Sequence, residues 1–523
     1  MNNRFRITDW LLLLAVPSFF FFWKLALFGL IGADEPRYAQ VAREMLARHD
    51  WITPTLGGTP WLEKPPLYYW QAMLTYRIFG VSDWAARLPS AFDAFLLVLA
   101  VYWFLRRFRP GFEVDGALML ATAAGMLGYA RAASMDMALA ATFSIAMLAW
   151  FAWFESANHR YLAAFYAFLA LAMLAKGPVA PFLAAAIIVI FATLHRSLQI
   201  VRKALWPGGI VLFCAIALPW YVLVQLRNPQ FFHNFIVEHN LARFGTNLYH
   251  HPESFWYYIP VSLLGWLPWA VFVLVALVWT IRRFRDSDSD TLGKFLVIWI
   301  AVVVVFFSIS RSKLPGYVLP ALPPGVVLLA EYVRKRIAQR PHPIVAALHA
   351  LAAASLVFCA LIIQYILLQH RVPWGSTVAV PLCVAFATAM GVFVLLLKDG
   401  YRILRLVTLV PGVLTLALVL RFGGIALDNA LSSRPVWITL SKFNPDHLPI
   451  AVFLVPRETE YGLQFYADQK VPRYELGFVP DQEHFVVAAE GYPKGVAKAA
   501  GRKVVYLGNF PAQKLDYFYV PGR

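Results

Sequence analysis

The sequence predicts a polytopic α-helical membrane protein of about thirteen transmembrane helices, followed by a small α/β domain. Three observations carry that expectation. The chain of 523 residues is 60% hydrophobic and only 14% charged, whereas a soluble domain carries nearer a quarter charged residues. Its apolar residues gather into runs of about 20, the length that crosses a bilayer as a helix. From about residue 423 the pattern changes to short β-rich runs, 450–455, 484–487 and 503–507, punctuated by Pro, Gly and Asp.

The apolar runs fall at roughly 10–31, 87–105, 115–131, 137–154, 161–175, 179–194, 208–225, 258–281, 294–309, 317–333, 344–367, 376–397 and 402–422. The first follows Arg4 and Arg6; it exceeds a signal-peptide core and no cleavage site follows, so it reads as a retained anchor. Basic residues cluster in alternate loops: Arg106, Arg107 and Arg109; Arg196, Arg202 and Lys203; Arg282, Arg283 and Arg285; Arg334, Lys335, Arg336 and Arg340; Lys398, Arg402 and Arg405. The positive-inside rule places these loops in the cytoplasm together with the N-terminus. That pattern accounts for the net charge of +17 without nucleic acid, and suits anionic lipids and phosphorylated substrates. Its 18 Trp, 23 Tyr and 41 Phe supply aromatic belts at both interfaces. Cys214, Cys359 and Cys383 all lie in apolar runs, so no disulfide framework or thiolate metal site is read from them. The expected organisation is a membrane domain over 1–422, with outer loops at about 32–86 and 226–257, and an outer α/β domain over 423–523.

Ionisable residues at the outer ends of membrane helices are functional candidates because holding charge there is costly. Asp34 and Glu35 follow the first span, and Glu63 and Lys64 precede the aromatic stretch Tyr68-Tyr69-Trp70. Asp136 opens the fourth span, Lys176 follows the fifth, and Lys313 precedes the tenth. Each has a plain alternative: an N-cap for Asp34 or Asp136, snorkelling to the interface for Lys176 or Lys313.

The order of short motifs adds a resemblance. Asp34-Glu35-Pro36-Arg37-Tyr38-Ala39, Arg43-Glu44-Met45-Leu46, Asp50-Trp51-Ile52-Thr53-Pro54 and Glu63-Lys64-Pro65 with Tyr68-Tyr69-Trp70 stand in sequence. Lys176-Gly177-Pro178, Val237-Glu238-His239 with Arg243-Phe244, His251-Pro252 and Lys313-Leu314-Pro315 with Tyr317 follow. This series resembles the lipid A 4-amino-4-deoxy-L-arabinose transferases of glycosyltransferase family 83, over about two thirds of the chain, from the first span to the tenth. The resemblance implies a GT-C fold, an undecaprenyl-phosphate-linked sugar donor and a lipid A or other envelope acceptor. It also implies a monomer in the bacterial inner membrane with its active site facing the periplasm. It assigns Asp34, Asp136 and Glu63 to catalysis. Lys64, Lys176, Arg243 and Tyr317, with Arg37 and Lys313 as weaker additions, are assigned to the donor phosphate, where cations stabilise a leaving anion. Glu63 and His239 are the pair available to a divalent metal such as zinc, and His250 and His251 are further candidates. Two ligands do not define a metal site, and the transfer requires none.

Two other readings remain open. The same fold serves transfer of another sugar to a hydroxyl of a glycan, lipid or protein, which needs a base. A flippase for lipid-linked sugars is disfavoured, because transporters show pseudo-symmetry and broken midplane helices.

Overall fold

The computed structural model describes residues 7–242, 253–284, 290–337 and 423–523, with the isolated positions 385 and 389. The expected spans at 344–367, 376–397 and 402–422 lie outside the described residues, and so does any total of thirteen. Among the described residues five helices are long and apolar enough to cross a membrane, or six if one bent pair counts as a span. The chain is a multi-pass helical membrane protein.

The helices are α1 (Ile7–Phe22), α2 (Asp34–Ala47), α3 (Leu67–Phe79), α4 (Asp83–Phe108), α5 (Glu113–Ala121), α6 (Ala124–Ala130), α7 (Met135–Ser156), α8 (His159–Lys176), α9 (Val179–Leu194), α10 (Gln199–Ala204) and α11 (Pro207–Arg227). Then follow α12 (Tyr258–Trp266), α13 (Ala270–Arg282), α14 (Thr291–Ile309) and α15 (Leu322–Ile337). Trp150, Trp299, Phe143 and Phe151 are fully buried at the centre of the bundle.

Three expected spans form differently. The third breaks into α5 and α6, the tenth opens with a 3-10 turn over Pro315–Ala321, and the eighth splits into α12 and α13, bent by 117°. Pro268 stands in that bend, where it lacks the N–H a helix needs. The breaks lie together and satisfy one another. Ala124 N donates to the Leu267 carbonyl at 2.8 Å, Trp269 Nε1 to Thr122 Oγ1 at 3.0 Å and Trp266 Nε1 to the Leu322 carbonyl at 3.1 Å. Irregular backbone at membrane depth is tolerated where other protein groups take its hydrogen bonds.

The first span also ends early. Helix α1 stops at Phe22, not near residue 31, and the carbonyls of its last turn and of the residues that follow are collected by three arginines. Arg131 reaches those of Phe20, Trp23 and Lys24. Arg87 reaches Leu25, Phe28 and Gly29, and Arg434 reaches Ala26 and Leu27. A guanidinium offers five donors in a fixed fork, so one side chain closes several orphan carbonyls at once.

The C-terminal residues form α16 (Gly424–Leu431), α17 (Arg434–Ser441), β3 (Ile450–Phe453), α18 (Arg457–Ala467), β4 (His484–Ala489), α19 (Pro493–Ala500), β5 (Val505–Phe510) and β6 (Leu515–Val520); β1 (Thr55–Leu56) and β2 (Thr59–Pro60) make a small hairpin in the first loop. The larger sheet has the order β3-β4-β6-β5, with β3 and β4 parallel and the other pairs antiparallel. Strand side chains alternate between faces. Ile450, Val452, Phe485 and Val487 therefore pack with Val436 and Leu463, while Ala451, Val486 and Ala488 pack with Val496 and Ala500.

This unit is keyed to the first loop and to α4. Tyr466 donates its hydroxyl proton to Asp83 at 2.8 Å, and Arg434 pairs with Asp83 at 2.9 Å and with Asp428 at 2.6 Å. Arg43 on α2 pairs with Asp468 at 2.6 Å and donates to the Phe465 carbonyl at 2.9 Å.

Candidate functional site: a cationic cluster at one end of the bundle

The site forms where the start of α7, the end of α8, the 3-10 turn before α15 and the first loop meet. Ser134 caps α7, its hydroxyl oxygen accepting from Asp136 N at 3.1 Å. The cap is thus Ser134, which leaves the Asp136 side chain for other work. That carboxylate pairs with the Lys176 ammonium and accepts from the Ser134 hydroxyl at 3.0 Å.

Lys176 is the last residue of α8, and Gly177 ends the helix with φ of +100°, a region side chains rarely adopt. The ammonium lies 4.3 Å from the centroid of the Tyr317 ring, a cation–π contact. A Cβ on Gly316 would stand 2.6 Å from Asp136 Cγ, so only glycine lets the Tyr317 turn approach this closely. Lys64 also acts on Asp136 electrostatically. Asp136, Lys176, Tyr317 and Lys64, separate in sequence, are brought together.

Asp34 is the first residue of α2, and the cap position is Ala33, with no side-chain bond. Its half-exposed carboxylate pairs with Arg37 one turn on. Burial opposes charge on Arg37, yet Tyr38, Asp34 and Glu63 outweigh it and hold the guanidinium above its ordinary pKa. Burial pushes the Tyr38 and Tyr69 hydroxyls up, keeping them neutral beside these charges. Glu63 therefore joins the cluster through its field on Arg37.

Lys313 is committed differently from the phosphate role assigned to it. It is buried and donates to the Ser310 carbonyl at 2.5 Å, at the end of α14, and to the Glu253 carbonyl at 3.1 Å. A lysine is a natural cap for a helix C-terminus, where carbonyls lack partners. Arg243, His250 and His251, and the His239 side chain, lie outside the described residues. Among the described residues no group of three His, Cys, Asp or Glu side chains is assembled for a metal.

Sequence reasoning named Glu35 beside Asp34 but missed its partner and its role, which is to hold the site from behind. Glu35 is buried, pairs with the fully buried Arg87 at 2.6 Å, and accepts from Ile31 N and Ala133 N at 2.9 Å each. It ties the loop after α1 to the loop before α7. An arginine inside an apolar run was a readable signal, although its partner was not. Two quoted motifs are likewise structural. Glu44 gathers Thr55 Oγ1 and the Gly57 N–H at 2.8 Å and the Gly58 N–H at 3.1 Å, and Asp50 takes Ile52 N and Arg227.

A half-buried acid–base pair, a second carboxylate and several cations at a helix-bundle end suit binding and release of an anionic group. Residues 63–222 match the family described as dolichyl-phosphate-mannose-protein mannosyltransferase. More particularly, the chain is similar to the undecaprenyl phosphate-alpha-4-amino-4-deoxy-L-arabinose arabinosyl transferase of Aeromonas salmonicida. They are 27% identical over 94% of this chain and 92% of that protein. The enzyme of that name from Yersinia pestis is 30% identical over 57% of this chain and 54% of its own length. The fold is that of the solved ArnT structures from Cupriavidus metallidurans. The one bound to undecaprenyl phosphate is 22% identical with a TM-score of 0.78, the apo form 23% identical with 0.77, each covering 98% of both chains.

Proposed function

We propose that this protein transfers 4-amino-4-deoxy-L-arabinose from undecaprenyl phosphate to a phosphate of lipid A. The observation that carries the reading is the Asp136–Lys176–Tyr317 cluster with Lys64 beside it. It is supported by the similarity to the Aeromonas salmonicida arabinosyl transferase over 94% of this chain. A phosphate oxygen of the acceptor attacks the anomeric carbon of the sugar. The bond from that carbon to the carrier phosphate oxygen breaks in the same displacement, with inversion. Undecaprenyl phosphate leaves as an anion, and Lys64, Lys176 and Arg243, with the Tyr317 hydroxyl, stabilise the charge it develops. Asp136 orients Lys176 and is not the base. An acceptor phosphate is already ionised near neutral pH, so no base is needed. Asp34 pairs with the ammonium of the aminosugar and Glu63 supports Arg37 beside it. No step passes through a metal. The protein is a monomer of the bacterial inner membrane, with its site and residues 423–523 on the periplasmic face.

The test is transfer of radiolabelled sugar from the carrier to lipid A by the purified protein, with mass spectrometry of lipid A from cells with and without the gene. The expected result is an added aminopentose. A different sugar, or a hydroxyl as acceptor, would replace this reading with the wider one of the same fold.

A further inference from the structure

We infer that Tyr461, carried by the C-terminal unit, is a positioning residue for the transfer: its ring completes an aromatic box around the Arg37 guanidinium and thereby fixes the Arg37–Asp34 pair. The inference rests on Asp34 contacting the donor sugar, as proposed above.

Three rings stand around the guanidinium carbon of Arg37. Tyr38 lies at 5.1 Å, Trp61 at 5.3 Å and Tyr461 at 5.7 Å, measured to ring centroids. All are within cation–π range. The first two come from the same loop as Arg37; the third arrives from α18. Arg37 Nε is buried without a hydrogen-bond partner, and the Tyr38 hydroxyl is a long 3.4 Å from Nη2. Beside Asp34 and the field of Glu63, the faces of the rings hold this cation in place. That matters because the Asp34 side chain is 50% exposed, against 13% for Arg37. A surface ion pair of long side chains gains little and wanders. With one member boxed, the exposed carboxylate is confined to the orientation its partner dictates.

The box is not a chance approach of a loose domain. Tyr461 lies in the helix that carries Phe465 and Tyr466 and is capped by Asp468, the groups fastened to Arg43 and Asp83. Its own turn is braced by Glu460, paired with Arg473 at 2.9 Å, and Arg473 pairs in turn with Glu475 at 2.6 Å. Tyr461 also feels the field of Glu63. Residues 423–523 thus reach the transfer site through one aromatic ring. Their role is to hold its exposed carboxylate.

The experiment uses the full chain in nanodiscs, with labelled transfer as readout. Tyr461→Phe keeps the ring face and should stay within about twofold of wild type. Tyr461→Leu should lower kcat about tenfold, leaving the KM for the lipid carrier unchanged. Replacing Tyr461 by phenylalanines of increasing fluorination weakens the negative ring face with little change of shape, so kcat should fall stepwise along the series. In an Arg37→Met background, Tyr461→Leu should add no further loss. Losses that multiply in the double variant would overturn the inference, and so would a flat fluorination series, which reads out even if Tyr461→Leu fails to fold. Absence of transfer by the wild type would instead sink the proposed function itself.

Discussion

Replacing Lys176 by methionine removes the cation from the centre of the site while keeping most of its apolar stem. Two costs follow, and they separate. Asp136 loses its ion-pair partner in a place where only 17% of its side chain is exposed. Orphaning one member of a buried pair costs about 3–5 kcal/mol. Asp136 keeps the Ser134 hydroxyl and the field of Lys64, so the lower end applies, about 3 kcal/mol of stability. Catalysis loses one preorganised charge contact to the departing phosphate, about 2.7–4 kcal/mol or a hundred- to a thousandfold in turnover. Adding Asp136→Asn to Lys176→Met removes the orphaned charge. Stability should then recover by roughly 1–2 kcal/mol, because a neutral amide is less costly to bury than an unpaired carboxylate. Turnover should not recover. Thermal unfolding in detergent and labelled-sugar transfer read the two quantities on the same preparations. Near-normal turnover in folded Lys176→Met would refute the phosphate role. A double variant as active as wild type would mean that Lys176 serves only to neutralise Asp136.

Four further outcomes are expected. Lys64→Ala should lower turnover about a hundred- to a thousandfold, whereas Lys313→Met, which loses only backbone contacts, should lower the melting temperature and leave turnover within about threefold; steady-state kinetics on both variants would expose an error if they behave alike. Arg87→Met orphans Glu35 and several carbonyls and should destabilise the protein by about 3–5 kcal/mol, seen as loss of extractable monodisperse protein; a normal melting temperature would contradict the collar around residues 20–29. Asp34→Asn should impair handling of the aminosugar equally across about pH 6 to 9; rescue at high pH in that variant alone would favour a hydroxyl acceptor. Burial, with Arg502 adding to it, holds His484 below its usual pKa. Its contribution is complete above the unfolded value of about 6.5 and shrinks as pH falls towards the lower folded value, since the unfolded chain then takes up the proton first. His484→Leu should flatten that acid-side slope in pH-dependent melting.

The sequence by itself determined that the chain lies in a membrane as a helical bundle, because apolar runs of bilayer length leave little other choice. Charge at helix ends singled out Asp34, Lys64 and Asp136 against an apolar background, and the ordered motifs of the resemblance added Lys176 and Tyr317. The Val179–Leu194 helix could be read to the residue. Breaks at 122–124 and 267–269 could not, because the carbonyl of one is satisfied by the N–H of the other. Nor could the early end of α1, which depends on Arg87, Arg131 and Arg434 converging from three distant segments. Local pattern says where a charge is affordable only in part; which charge meets which is decided by packing. Tertiary structure alone made Ser134 and not Asp136 the cap, sent Lys313 to a helix end, and paired Asp136 with Lys176. It also brought Tyr461 across the sequence to Arg37. Hydropathy and helical spacing report on a residue and its near neighbours, whereas a site is a set of distances between residues the chain itself keeps far apart.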